Sequence, residues 1–159
     1  MKNKSPRVVL AIDPGYDRLG WAAGVCAGRK IELLEFGSIT TNKKSSLALR
    51  YGQLQDELQK VLNKHSPQEL AIETLIFSKN VTTALKVSES RGVCLACCVQ
   101  AGLSIFEYNP MTIKSVAAGF GSADKKAVEK MIRLQFKLPP DLLDDTVDAI
   151  AILLTHSLA

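Results

Sequence analysis

The sequence predicts an α/β domain built on a mixed five-stranded sheet that is flanked by helices. Three features predict this architecture: apolar segments of strand length, turn residues between the first three of them, and segments of helical periodicity between the later ones. Short connections favour antiparallel pairing, whereas helical crossovers favour parallel pairing. The two halves of the sheet should therefore differ in strand direction.

The first three strands should form an antiparallel meander. "RVVLAID" is β-branched and apolar, which predicts a buried strand at about 7–13, and "PGYDRLG" supplies turn residues after it. Apolar segments at 21–27 and 31–39 are joined by the tight turn "GRK". In the third segment, Glu32 and Glu35 break a clean alternation of polar and apolar residues.

Helical patterns alternate with short strands after residue 45. Ser45 or Ser46 can cap the first helix, which "NKHSP" ends. The later strands should pair in parallel, with the helices crossing over between them. The remaining predicted elements are strands at 69–73 and 103–108 and helices at 81–101, from Pro110, at 124–137 and at 144–157.

Length and composition indicate a soluble globular protein. The chain has 159 residues, 47% hydrophobic and 23% charged, which suits one domain over residues 1–159. No apolar segment approaches the roughly 20 residues that span a bilayer. "VVLAI" is too short for the apolar region of a secretory signal, so we expect a cytoplasmic protein.

The cysteines do not predict a metal or redox site. "CLACC" contains a C-x-x-C pattern, but the chain has only two histidines, His65 and His156, and each stands alone. The segment around these cysteines also has the pattern of an apolar helix. Buried, reduced thiols are therefore the prediction for the four cysteines, Cys26, Cys94, Cys97 and Cys98.

The net charge of +4 is unevenly distributed. Residues 79–137 hold nine Lys and Arg against four acids, which gives +5, and the remainder holds 11 against 12, which gives −1. A basic window beside grouped acids suits a polyanionic partner next to a cation-binding site. An ordinary solvated surface would give the same count.

Four carboxylates are predicted to converge at one edge of the sheet. Asp13 closes the first strand, Glu73 closes the fourth, and Asp145 and Asp148 share one face of the last helix at its start. Sites in open α/β sheets gather beyond the carboxyl ends of strands, so the four meet if strands one and four are neighbours. Asp144 is interpreted as the N-cap of the last helix and is left out of the site.

Such grouped acids favour a bound divalent cation. At ~5 Å and an effective dielectric constant of about 20, each pair of carboxylates repels by ~3 kcal/mol. A helix N-terminus offsets only ~0.3–1 kcal/mol of this. Oxygen ligands favour Mg²⁺ or Mn²⁺, and two such ions ~3.5–4 Å apart would clamp a phosphodiester.

Each acid also has a purely structural interpretation. Asp145 would be equally at home as a first-turn acid that interacts with the helix dipole. Asp13 could start an Asp-Pro turn, and Glu73 could be a surface acid at a strand end. Asp148 is harder to explain structurally, because apolar residues surround it in "TVDAIAILL". The joint placement of the four acids carries the prediction.

With these residues in view, the chain resembles the RuvC-type Holliday junction resolvases over nearly its whole length. Four motifs occur in order at matching separations: "IDPGYDRLGWA", "AIETLIFSKNVTTALKVSESRG", "EYNPMTIKSVAAGFGSADK" and "DDTVDAIAI". The resemblance implies an RNase H-like fold and a homodimer that binds four-way DNA junctions in homologous recombination and DNA repair. It also implies hydrolysis of two symmetric phosphodiesters, which leaves 5′-phosphate and 3′-hydroxyl ends, and a branch-migration motor complex as partner.

The resemblance assigns roles residue by residue. The catalytic and metal-binding acids carry over to Asp13, Glu73, Asp145 and Asp148, which would hold Mg²⁺ or Mn²⁺, with two ions in each site. The family varies at the position of Asp145, where His also occurs. Two departures from the family pattern are Glu89, in "ESRG" where Gln-Ala-Arg-Gly is frequent, and Ala118, where Thr is common.

The basic window and one loop supply the predicted DNA contacts. Phe77 would wedge or stack against an unpaired base, although it could also pack into the core. Lys114 and Lys125 match family positions beside the cut strand, where a lysine would contact phosphate or stabilise the transition state. A stripe at i, i+4, i+7 and i+11 begins at Lys126 and continues through Lys130, Arg133 and Lys137. The residues predicted to bind DNA are Phe77, Lys79, Asn80, Lys86, Lys114, Lys125, Lys126 and Lys130.

Three other functions compete with this interpretation. Half of an actin-like ATPase also begins with a strand and a glycine turn, but it normally needs two such domains and leaves Glu73 and Asp148 unexplained. An RNase H-like nuclease of ribosomal RNA processing is closer, yet the Lys-rich second half fits it poorly. A junction-binding module without cleavage would not need all four acids.

Overall fold

The computed structural model describes residues 5–76, 81–118 and 125–159. In these ranges, strands and helices follow one another in the predicted order. Within the described residues, no predicted boundary differs from the observed one by more than three residues. In chain order the elements are β1 (Arg7–Asp13), β2 (Arg18–Ala27), β3 (Lys30–Thr40), α1 (Leu47–His65), β4 (Glu69–Glu73), α2 (Val81–Gln100), β5 (Ser104–Tyr108), α3 (Pro110–Ala118), α4 (Lys125–Phe136) and α5 (Asp144–Leu158).

The five strands form one mixed sheet in the order β3-β2-β1-β4-β5. β1 to β3 make the predicted antiparallel meander, while β4 lies parallel to both β1 and β5. This confirms the predicted α/β class with a mixed five-stranded sheet. It also confirms that the first and fourth strands are neighbours, which is the condition for Asp13 and Glu73 to meet.

The irregular alternation in the third strand has a structural cause. The register between β2 and β3 shifts at Ala23 and Gly24, where Ala23 pairs with Glu35 and Gly24 pairs with Leu33. The extra residue, Leu34, is exposed and reverses the phase of the alternation. Glu32 and Glu35 therefore fall on the same face although they are three residues apart, because their partners on β2, Val25 and Ala23, are only two residues apart.

Apolar side chains cover both faces of the sheet. Along β1, Val9 and Ala11 face the cluster beneath α3, α4 and α5, whereas Leu10 and Ile12 face the cluster beneath α1 and α2. α5 is buried along most of its length and packs across β1, β2 and β3. A sheet covered on both faces leaves its strand ends as the natural place for a site.

Helix ends follow the predicted chemistry at α1 but not at α5. Ser46 caps α1 by accepting a hydrogen bond from the backbone N–H of Leu49. The prediction that Asp144 caps the last helix is wrong: Leu143 occupies the N-cap position without a side-chain cap bond, and Asp144 is the first helical residue. Its carboxylate still lies in the first turn, where it complements the helix dipole.

All four cysteines are buried free thiols, as predicted. α2 carries three of them on its inner side, in contact with the strands. No helix in the three described ranges is both long and apolar enough to cross a membrane.

Candidate active site

The four predicted acids lie at one edge of the sheet. Asp13 is the last residue of β1 and Glu73 is the last residue of β4, and these two strands run side by side in the same direction. Asp145 and Asp148 lie in the first two turns of α5, which packs against β1, β2 and β4. The charges of Glu73, Asp145 and Asp148 all act on Asp13, so the structure brings the four predicted residues into one electrostatic cluster.

Gly20 sets the distance between α5 and the sheet at this edge. It is paired with Asp13 across the β1–β2 ladder. A Cβ atom at Gly20 would lie 1.8 Å from the carbonyl oxygen of Asp145 and 2.9 Å from the backbone nitrogen of Thr146. Only a residue without a side chain lets the first turn of α5 approach β2 so closely.

Burial and mutual repulsion disfavour the charged form of the acid at the centre of the cluster. The pKa of Asp13 is raised well above its ordinary value, first because the carboxyl is buried and then because Asp148, Glu73 and Asp145 lie nearby. Lys125 opposes this rise only in part. A cation placed among these oxygens would relieve both effects.

Glu73 and Asp148 are in a similar but milder environment. Burial is the main cause that raises the pKa of Glu73, followed by the charge of Asp148, while Lys114 and Lys125 lower it. Burial also raises the pKa of Asp148, against the hydrogen bond that it accepts from Lys125. Excess negative charge therefore extends across the cluster.

Two basic side chains are paired with the acids of α5. Lys125 Nζ lies 3.1 Å from Asp148 Oδ2. Burial alone would lower the pKa of Lys125, but its hydrogen bond with Asp148 and the nearby charges raise it overall. On the other side of the cluster, the Arg18 guanidinium forms an ion pair with Asp145. Sequence reasoning missed Arg18, because an arginine at the start of a strand carries no signal of its partner.

The donor set fits a hard divalent cation. All four side chains offer carboxylate oxygens, and burial together with the neighbouring negative charges raises the pKa values of Asp13, Glu73 and Asp148. Within the described residues, no three His, Cys, Asp or Glu side chains are arranged around a common point as metal ligands. Asp145 is instead paired with Arg18, and Asp148 with Lys125. A bound ion would take the place of these two cations.

A cleft opens beside the acids between α3, α4 and α5. Glu73, Asp148, Lys114 and Lys125 supply its polar wall. Its floor is apolar and is formed by Ile113, Val128, Ala151 and Ile152. Lys114 and Lys125, which the family resemblance predicts to contact DNA, thus border the same space as two of the acids.

The remaining predicted DNA contacts are placed in part. Phe77, Lys79 and Asn80 lie outside the described residues. Lys86 lies on α2, where its Nζ atom sits 5.4 Å from the centre of the Tyr16 ring. Lys126 and Lys130 are exposed on α4.

The basic stripe on α4 is shorter than the sequence suggests. Arg133 is turned away from solvent: it pairs with Glu129 and donates hydrogen bonds to the carbonyl oxygens of Pro139 and Leu142. Lys137 follows the end of the helix and has a positive φ of 51°. Arg133 therefore holds the connection to α5, which leaves Lys126 and Lys130 as the exposed members of the stripe within α4.

The departure at Glu89 has a local partner. Its Oε2 atom accepts a hydrogen bond of 2.5 Å from the Tyr51 hydroxyl, which joins α2 to α1. Burial and then Glu89 raise the pKa of Tyr51 to about 12. The carboxylate thus contributes to packing between two helices.

Sequence comparison identifies the family. A family model described as crossover junction endodeoxyribonuclease RuvC matches residues 9–156. The chain belongs to the RuvC family. It is 39% identical over 151 residues to the RuvC of Roseiflexus sp. (strain RS-1), an alignment that covers 94% of this chain and 90% of the relative. It is also 39% identical over 150 residues to the RuvC of Finegoldia magna, with 93% and 91% covered.

Solved structures show the same fold. The T. thermophilus RuvC in complex with Holliday junction substrate superimposes with a TM-score of 0.86 at 31% identity, over 96% of this chain and 93% of that one. The yeast mitochondrial Holliday junction resolvase Ydc2 superimposes with a TM-score of 0.68 at 14% identity, which shows a shared fold alone. The RNase H-like architecture implied by the sequence resemblance is therefore confirmed, and the family is one of metal-dependent nucleases in general.

Proposed function

We propose that this chain is a structure-selective endodeoxyribonuclease that resolves four-way DNA junctions in homologous recombination and DNA repair. The observation that carries the proposal is the convergence of four carboxylates at one sheet edge of a RuvC family member, beside a cleft bordered by two lysines. The whole chain, residues 1–159, would act as one nuclease domain. Its products would carry 5′-phosphate and 3′-hydroxyl ends.

Asp13, Glu73, Asp145 and Asp148 are the proposed catalytic and metal-binding residues. Their oxygen-only donor set suits Mg²⁺, with Mn²⁺ as a substitute and two ions in each site. Bound divalent ions would stabilise the attacking and leaving oxygens of the phosphodiester. Asp13 and Glu73 would hold their side of the site from the strand ends, and Asp145 and Asp148 would hold the other side from α5.

The lysines of the cleft would act on the DNA rather than on the metal. Lys114 borders the cleft beside Glu73, and its charge lowers the pKa of that carboxyl. Lys125 would break its ion pair with Asp148 and contact a phosphate oxygen instead. A cation at the phosphate stabilises charge that develops in the transition state. Lys126 and Lys130 would extend this contact along the backbone of one DNA arm.

The proposal is tested by cutting a synthetic four-way junction. Glu73→Gln should lower the single-turnover rate in Mg²⁺ by at least about 100-fold, as loss of a group that acts in the transition state does, while junction binding in EDTA is kept. Glu57→Gln is the matched control, because its carboxylate lies on the surface of α1 and pairs with Lys60. Native cutting by Glu73→Gln, or Mg²⁺-independent cutting by the parent protein, would refute the assignment.

A homodimer is the proposed assembly, since a junction presents two equivalent strands to two sites related by a dyad. The outer face of α2 supports this. Val81, Leu85 and Val99 are each more than half exposed and follow one helical stripe. The exposed small residues Ser88, Gly92 and Ala96 lie on the same stripe, whereas Ala84 is buried.

The dimer is tested by sedimentation velocity without DNA. Leu85→Asp should shift the protein from dimer to monomer, because a buried unpaired carboxylate opposes association. Leu49→Asp is the control: it is also exposed, but it lies on α1. Equal behaviour of the two variants would show that α2 does not form the interface.

The branch-migration motor partner and the cytoplasmic location are proposed from the family resemblance.

A further inference from the structure

One turn of α2 contacts both of the segments that carry strand-end acids. Ser90 Oγ donates a 3.0 Å hydrogen bond to the carbonyl oxygen of Gly15, two residues after Asp13. Arg91 Nε donates a 2.9 Å hydrogen bond to the carbonyl oxygen of Glu73 itself. Two consecutive residues of one helix thus bind the main chain beside two proposed catalytic carboxylates.

These contacts fall where β1 and β4 no longer pair with each other. Asp13 is still paired on its other side with Gly20, and Glu73 with Tyr108. The last pair of the β1–β4 ladder is Ile12 with Ile72, so Asp13 and Glu73 lie one residue beyond it. Gly15 lies after the end of β1 altogether. At such positions a hydrogen bond from a neighbouring element adds to the restraint that pairing on one side supplies.

Arg91 is built into the protein rather than directed at solvent. Its side chain is only 15% exposed, and its Nη2 atom forms an ion pair with Glu107 on β5. Ser90 is completely buried. An arginine that contacts phosphate would present its guanidinium group to the surface, whereas Arg91 joins α2, β4 and β5.

We propose that Arg91 and Ser90 are positioning residues of the nuclease reaction, which fix the backbone at Glu73 and next to Asp13 from a single turn of α2. This inference rests on the proposed function and adds two residues to it. Their role is exerted through the main chain, so neither touches the DNA or an ion. The same turn carries Gly92 on its outer face, where the partner subunit is proposed to pack.

The test compares two replacements of Arg91 with different hydrogen-bonding ability. Arg91→Met keeps the length of the side chain but removes every donor, whereas Arg91→Gln restores one N–H donor without the charge. We expect Arg91→Met to lower the single-turnover cleavage rate by about 10-fold or more, because small misplacement of a reacting group is costly. Arg91→Gln should recover most of that rate, and both variants should bind the junction within about 2-fold of the parent protein.

Arg29→Met is the matched control for charge. Arg29 is exposed in the turn between β2 and β3, at the opposite end of the sheet from the acids, so it should lose no cleavage rate. Equal losses in Arg91→Met and Arg91→Gln would overturn the proposal, because charge and not the hydrogen bond would then matter. So would a junction affinity that falls in step with the cleavage rate.

Hydrogen exchange separates this inference from the proposed function. The Thr74 amide, next to Glu73, donates to the carbonyl oxygen of Tyr108. In Arg91→Met it should exchange about 10-fold faster, while core amides of α5 keep their protection. If the parent protein cuts no junction, the proposed function fails. If the exchange rate of the Thr74 amide is unchanged in Arg91→Met, the positioning role fails, whatever the cleavage assay shows. If Arg91→Met does not fold, Ser90→Ala replaces it in the test. This variant removes the hydrogen bond to the carbonyl oxygen of Gly15, and its cleavage rate and junction affinity are compared with those of the parent protein in the same way.

Discussion

Replacing Gly20 with alanine should disable the site without removing any polar group. The added Cβ would lie 1.8 Å from the carbonyl oxygen of Asp145, and contacts shorter than 3.0 Å essentially do not occur. The first turn of α5 must therefore move by about 1.2 Å, which is the difference between these two distances. The obstacle is helix backbone, so no side-chain rotation can relieve it.

The expected cost follows from that displacement. A shift of about 1 Å in a reacting group lowers a rate by about 100-fold, and Asp145 and Asp148 move together with the turn. Overpacking of this kind costs about 1–3 kcal/mol of stability, which a folded domain of this size tolerates. Gly20→Ala should thus remain folded and cut a junction about 100-fold more slowly than the parent protein.

The assay is single-turnover cleavage of a synthetic four-way junction, with circular dichroism to confirm folding. Gly52→Ala is the control: Gly52 lies within α1, and a Cβ there meets no described atom within 4 Å. That variant should keep its rate and gain about 0.5–1 kcal/mol of stability, since alanine favours a helix. A folded Gly20→Ala protein that cuts within 3-fold of the parent rate would refute the link between α5 and the sheet.

Three further predictions concern charged groups. Lys125→Met should slow cleavage by about 100-fold in single-turnover assays but weaken junction binding much less, because Lys125 supplies one phosphate contact among several and is proposed to stabilise charge in the transition state. Lys130→Ala should reduce the slope of log K against log salt by about 1, as loss of one phosphate contact does, measured by fluorescence anisotropy. The hydrogen bond from Arg50 lowers the pKa of Asp17 below its ordinary 3.8, so this pair should stabilise the fold above about pH 4 and lose that effect as pH falls through the lowered value. Thermal melts of Asp17→Asn should therefore differ from those of the parent protein at pH 7 and approach them as the pH falls below the lowered pKa of Asp17.

The two acids at strand ends, Asp13 and Glu73, were predictable because the sequence pattern of a buried strand shows where the strand ends. "RVVLAID" and "ELAIE" each combine a buried apolar run with a final carboxylate, and parallel neighbours bring such ends to one edge. The helical spacing of Asp145 and Asp148 places them together by the same kind of local rule. These inferences needed only the spacing of apolar residues in each helix or strand and the expectation that β1 and β4 lie side by side.

The partners of those acids were not predictable, because they depend on contacts between distant segments. Arg18 meets Asp145 across 127 positions of the chain, and Arg133 bonds carbonyl groups in the next loop instead of extending the basic stripe. An arginine in a sequence carries no mark of whether it faces solvent, a carboxylate or a carbonyl group. The reversed alternation in β3 likewise became understandable only with the bulge in view.

The acids of this site are held by two different kinds of restraint. Asp13 and Glu73 extend from strands whose inner residues are fully buried, and the hydrogen bonds from α2 act just past the point where β1 and β4 stop pairing with each other. Asp145 and Asp148 depend instead on how closely a helix approaches the sheet, which the missing side chain of Gly20 permits. Since the two pairs are proposed to bind the same ions, a displacement of either pair would separate it from the other. The precision of the proposed site therefore depends as much on a glycine and two backbone hydrogen bonds as on the carboxylates themselves.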